Sequence, residues 1–114
     1  MTMESGKRIT AVVKVGTSSI TDEQGVIDSS LVAKLCDEVA DLRRQGHWVV
    51  VVTSGAIAAG LPDLGLGGEK RPRDAVTLQA VSAVGQGNLI GTYQRELAQH
   101  DLIVGQVLLA PLDF

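Results

Sequence analysis

Aromatic side chains are nearly missing from this sequence: one Trp, one Tyr and one Phe in 114 residues. A core without rings must be built from Val, Leu, Ile and Ala, the composition of a parallel sheet covered by helices. There is one cysteine, Cys36, which excludes an internal disulfide and fits a reducing compartment. No apolar run approaches the roughly 20 residues of a membrane span; the longest lies around "WVVVV". The first ten residues, "MTMESGKRIT", carry no apolar run behind their basic residues and so do not read as a signal peptide. Positive charge is not in excess either. A net charge of −3 leaves no electrostatic footprint for nucleic acid or an anionic membrane. Low complexity and internal repeats are absent, and 45% hydrophobic content is that of a globular domain. These absences together predict a soluble, cytoplasmic α/β protein of at most one domain.

What is present alternates strand and helix. Residues 9–15, "ITAVVKV", read as a strand, followed by a loop through "GTSSITDEQGVID". From Ser29 to Gln45, Leu31, Val32, Leu35, Cys36, Val39 and Leu42 recur at helical spacing, with Asp28 as N-cap and Gly46 as the stop. Residues 48–53, "WVVVVT", form a continuous apolar run, the pattern of a strand buried on both faces. "SGAIAAG" then opens a helix directly off the strand. Residues 61–73 hold Gly, Pro and charges and predict an exposed, mobile loop. A long helix over 74–99 carries Val76, Leu78, Val81, Val84, Leu89, Ile90, Tyr93 and Leu97, with Gly85, Gly87 and Gly91 inside it. Those glycines each cost a helix up to about 1 kcal/mol against Ala, so close helix packing, within the subunit or across a dimer, is their expected reason. "LIVGQVLL", 102–109, reads as a third strand. Strands joined by long crossovers pair in parallel.

In an open parallel sheet, ligands sit beyond the carboxyl ends of the strands. Two such ends carry unusual residues. At "VVKVGTSS", Gly16 lets the backbone turn close to a ligand, and the N–H groups and hydroxyls of Thr17 and Ser18 can face phosphate oxygens. Lys14, aimed at the same end, can neutralise charge on a transferring phosphoryl group. The plain alternative is a snorkelling lysine beside an ordinary polar turn, and the residues alone leave both open. At "VVTSGAIAAG", Thr53, Ser54, Gly55 and Ala56 arrive at a helix start whose unpaired N–H groups favour an anion such as a carboxylate. Here the alternative is that Ser54 is only an N-cap. There is no Walker motif, and "GQGNLIG" lacks the dinucleotide glycine spacing.

His47 and His100 have no Cys, His or acid nearby at ligand spacing, which favours structural or solvent-facing roles over metal binding. Cys36 falls on the apolar face of the first helix, and Asp22 and Glu23 read as solvated loop charges.

"VVKVGTSS", "VVTSGAIAAG", "AVGQ" and "VGQVLLA", in this order, resemble the N-terminal part of the glutamate 5-kinase group of the amino acid kinase family. The likeness runs from about Ile9 to Asp113. It implies a three-layer α/β/α sandwich with a mainly parallel sheet, of which residues 1–114 would be the amino-acid-substrate lobe, the rest of the domain lying beyond. It further implies ATP-dependent phosphorylation of the glutamate side-chain carboxylate, opening proline biosynthesis, with Mg²⁺ held mainly by the nucleotide. On that likeness Lys14, Gly16, Thr17 and Ser18 correspond to the ATP phosphate site, Lys14 being the catalytic lysine. Ser54, Gly55 and Ala56 correspond to the glutamate-binding segment, and no residue here to a metal ligand. Proline as feedback inhibitor and a homo-oligomeric assembly are also implied. The chain alone would lack the nucleotide lobe and be inactive by itself.

Overall fold

The computed structural model describes residues 6–109. Strand β1 (Thr10–Val15), helix α1 (Ser29–Arg44), strand β2 (Trp48–Thr53), helix α2 (Ala56–Gly60) and helix α3 (Ala75–Ala98) follow one another. β1 and β2 pair in parallel, Thr10 opposite Trp48 through Val15 opposite Thr53. The strands are equal in length and in register, so both end on one line.

Alternation sorts the two sheet faces. Val13, Val15, Val49 and Val51 turn toward the helices and join Val32, Cys36, Val39, Leu89, Tyr93 and Leu97 in one core. The opposite face presents Val12, Trp48, Val50 and Val52, with Val12 66% exposed and Val52 44%. The expectation that "WVVVVT" is buried on both faces therefore does not hold here. Among the described residues the helices cover one side of the sheet only, making two layers of the three.

Helix ends form where capping chemistry predicts. Asp28 Oδ1 accepts from Ser30 N–H at 2.9 Å, and Asp74 Oδ2 accepts from Thr77 N–H at 2.9 Å. Both carboxyls are held below the usual carboxylate range, chiefly by the Ser30 hydroxyl at Asp28 and by the Thr77 hydroxyl at Asp74, each with the cap N–H adding to it. Gly46 adopts φ 89°, the left-handed conformation that stops α1 before β2.

Three further expectations are corrected. Residues 102–109 form no strand; Leu102 and Val104 lean on the core while Ile103 and Val107 are exposed. The run is apolar, but an apolar run makes a strand only where it finds an edge to pair with. The chain end at 110–114 lies outside the described residues. On α3, Val76 and Val84 point outward, their places on the core face taken by Gly85 and Thr92. Asp22 is no mere solvated charge: its Oδ1 accepts from Gln24 N–H at 2.9 Å and Val26 N–H at 3.0 Å, closing the turn that Gly25 makes with φ 76°.

The two histidines are structural, as expected. His47 is 1% exposed, and its Nδ1 accepts the Ile9 N–H at 3.2 Å, tying the starts of the two strands. His100 Nε2 meets Asp37 Oδ1 at 2.8 Å, joining the end of α3 to α1.

Candidate active site at the strand ends

Beyond Val15 the chain leaves β1 through Gly16, whose extended φ of −72° needs no special conformation, into a single 3-10 turn over Thr17–Ser19. The turn closes with Ser19 N–H donating to Gly16 C=O at 3.0 Å, and Ile20, 1% exposed, plugs its underside into the core. That plug pins the turn. A hydrophobic anchor inside a polar loop was not legible as such, because one Ile carries no periodicity.

Beyond Thr53 the chain leaves β2 into α2. The helix is short, and its N-cap is Gly55 without any side-chain capping bond. Ser54 is therefore not a cap. Its Oγ instead meets Thr17 Oγ1 at 3.2 Å, across 37 residues of sequence. The structure thus brings the two strand-end turns into direct contact at their exposed hydroxyls. Gly55 and Ala56 are buried just below.

Thr53, the last strand residue, organises the floor. Its Oγ1 accepts the Gly55 N–H at 3.4 Å, and the buried Tyr93 of α3 lies beneath it. Burial raises the Tyr93 phenol above its ordinary pKa, with the Thr53 side chain pulling the other way. Cys36, also buried in this core, is pushed up to about 11 by burial, then by Glu96 and Asp37, and so stays a neutral thiol.

Lys14 is the last residue but one of β1, exposed, opposite Val52 and on the uncovered sheet face. It also borders an open groove of about 400 Å³ between β1 and α1, whose other polar lining is Ser19, Lys34 and Glu38. Lys34 and Glu38 escaped the sequence reading. Their signal was there, two charges four residues apart on α1, yet that spacing equally marks an ordinary solvated helix face. Gly16 and Ser18 are exposed on the same turn as Thr17. The sequence-derived positions thus gather at one end of the sheet.

The amino acid kinase family profile matches residues 10–114. The chain belongs to the amino acid kinase family. Curated relatives named glutamate 5-kinase are similar to it. That of Salinispora arenicola is 53% identical over 106 residues, covering 90% of this chain and 28% of the relative. That of Thermobifida fusca is 48% identical, covering 90% and 26%, and that of Pelobacter propionicus is 43% identical, covering 90% and 27%. The chain spans just over a quarter of the length of these relatives.

Proposed function

We propose that this chain is the amino-acid-substrate part of a glutamate 5-kinase, which in its full length transfers the γ-phosphoryl group of ATP to the side-chain carboxylate of L-glutamate. A carboxylate oxygen attacks the γ-phosphorus, the bond to the β-γ bridging oxygen breaks, and glutamyl 5-phosphate and ADP leave with no net proton exchanged. The observation that carries this is the Thr17–Ser54 contact at 3.2 Å. Phosphoryl transfer needs donor and acceptor anions side by side, and two turns fit for anions are joined here by their hydroxyls. The similarity to relatives named glutamate 5-kinase supports the choice of acceptor.

In this reading the turn at Gly16, Thr17 and Ser18 faces phosphate oxygens through its N–H groups and hydroxyls. Ser54, with Gly55 and Ala56, holds the amino acid. Lys14 supplies positive charge near the transferring group. Mg²⁺ travels with the nucleotide, whose phosphates hold it, and screens their charge. Proline, an amino acid with the same backbone carboxylate, fits as an inhibitor at or near the Ser54 segment. A homo-oligomeric, cytoplasmic enzyme of proline biosynthesis completes the reading.

The test is Lys14→Ala in the full-length protein. Loss of a charge that acts in the transition state should lower kcat by about 10² or more, with a smaller change in KM for glutamate. An unchanged kcat would return Lys14 to a lysine that merely snorkels from the sheet.

A further inference from the structure

Helices α2 and α3 touch backbone to backbone. A Cβ placed on Gly85 would overlap the carbonyl oxygen of Ala56, and would lie 2.5 Å from Gly60 N and 2.9 Å from the Ala56 carbonyl carbon. Reciprocally, a Cβ on Gly60 would overlap the carbonyl oxygen of Val81 and lie 2.9 Å from Gly85 N. Every obstructing atom is main chain, so no side chain can swing aside. The other two glycines of α3 are different: Gly87 has open space within 4 Å, and Gly91 meets only the end of Arg95 at 3.5 Å. A mid-helix glycine is worth about 1 kcal/mol less than alanine. At Gly85 the contact requires that sacrifice.

The carbonyl that Gly85 admits belongs to Ala56, two residues after Ser54. One turn further along α3, Leu89 Cδ1 stands 3.4 Å from where a Gly55 Cβ would be. Val81, Gly85 and Leu89 thus form one buried row of α3 on which α2 and the turn before it rest. We propose that Gly85, clasped with Gly60, is a positioning residue for the amino acid substrate: it sets how deeply Ser54, Gly55 and Ala56 sit beside the Thr17 turn. The inference rests on reading those three residues as the substrate segment.

Steady-state kinetics of the full-length enzyme test it with Gly85→Ala, Gly87→Ala and Ser54→Ala in parallel. A methyl at Gly85 must push α2 outward by about an ångström, a misplacement that can cost up to about 10² in rate or binding. Gly85→Ala should raise the glutamate KM by about tenfold or more and leave the ATP KM within about threefold, while Gly87→Ala changes neither. A merely structural glycine would lower the melting temperature and the active fraction, but leave the KM of the folded molecules at the wild-type value. If Ser54→Ala raises the glutamate KM and a folded Gly85→Ala does not, the positioning role is overturned alone. If neither variant changes it, the substrate reading falls and this inference with it. The wild type offers a second measurement should Gly85→Ala fail to fold. Saturating glutamate should slow amide exchange at Ala59 of α2 and at Leu61, its C-cap, whose N–H groups bond the Gly55 and Ile57 carbonyls, together with exchange across 81–89. Slowing in α2 with 81–89 unchanged would overturn the clasp.

Discussion

Replacing Ser54 by alanine separates two roles that a strand-end serine can play. The structure removes capping: the N-cap of α2 is Gly55, without a side-chain bond, so no N-cap energy is at stake at Ser54. What Ala removes is one hydroxyl contact, Thr17 Oγ1 to Ser54 Oγ at 3.2 Å, in an exposed setting. A hydroxyl pair open to water sits at the bottom of the usual range, about 0.5 kcal/mol. In a chain of the relatives' length that shifts the melting temperature by about 2 °C or less. A hydroxyl donating to a substrate carboxylate is worth more, about 1.5–3 kcal/mol, which converts to roughly a 10- to 150-fold rise in KM.

The assay is the glutamate KM and the ATP KM of the full-length protein for Ser54→Ala, Ser54→Asp and Thr17→Val, alongside melting curves. Ser54→Ala should raise the glutamate KM within that range at nearly unchanged stability. Ser54→Asp should be worse than Ala, since it sets one carboxylate against another and gains no cap in return. Thr17→Val breaks the same hydroxyl contact from the other side, and should act on the ATP KM instead. A stable Ser54→Ala variant with wild-type glutamate KM would refute the reasoning, as would an Asp variant that binds glutamate normally.

His47→Ala should destabilise the protein by about 1–3 kcal/mol, because the Ile9 N–H at the start of β1 loses its acceptor; His47→Asn, which can restore an acceptor oxygen, should recover part of the loss in a denaturant titration. The depressed carboxyl of Asp74 adds stability above its unfolded pKa that is lost as pH falls through the lower folded value. Asp74→Asn, which can still cap, should therefore flatten the acid end of the stability–pH curve below about pH 4 while changing little at neutrality. Residues 62–73, which include one 3-10 turn at Gly68–Lys70, are exposed apart from the half-buried Leu66 and Pro72, although Asn88 Nδ2 donates to Asp63 near the α2 end. Trypsin should cut first after Lys70, the Arg71–Pro72 bond being resistant; cutting confined to the termini would show the segment to be packed.

Much of the fold was legible because its signals are periodic. Both strands, α1 and α3 lie within a residue or two of where alternation, helical spacing and capping residues place them. The candidate site stood out in outline for a different reason: Lys14, the hydroxyls and the small residues are costly choices at strand ends, and the structure gathers them at one end of the sheet. The illegible parts depend on partners far away in sequence. Whether "LIVGQVLL" pairs depends on an edge, and whether "WVVVVT" is covered depends on a second helical layer; neither is a property of the segment itself. Gly85 showed only that some close contact was needed. That the contact is the carbonyl of Ala56 required the crossing of two helices to be known.

The register of β1 on β2 links these observations. Side chains alternate across a sheet, so a slip of one residue would turn Lys14 from the open face into the helical core and slide Thr17 about 3.3 Å along from Ser54. At the strand ends the hydroxyl contact in water is too weak to prevent such a slip, and the hold there is the burial of Val15 and Ile20 in the core. Directional bonds add a restraint at the other end. Ile9 donates to His47 Nδ1 at 3.2 Å and accepts from Trp48 N–H at 3.0 Å, while Arg43 binds the His47 carbonyl at 2.7 Å and lies over the Trp48 ring. Two of these contacts fix where β2 begins relative to β1, the two from Arg43 hold that start against α1, and six residues of equal strand carry the choice forward to the turns. A buried histidine at the far end of the sheet thus helps to set which face the lysine occupies.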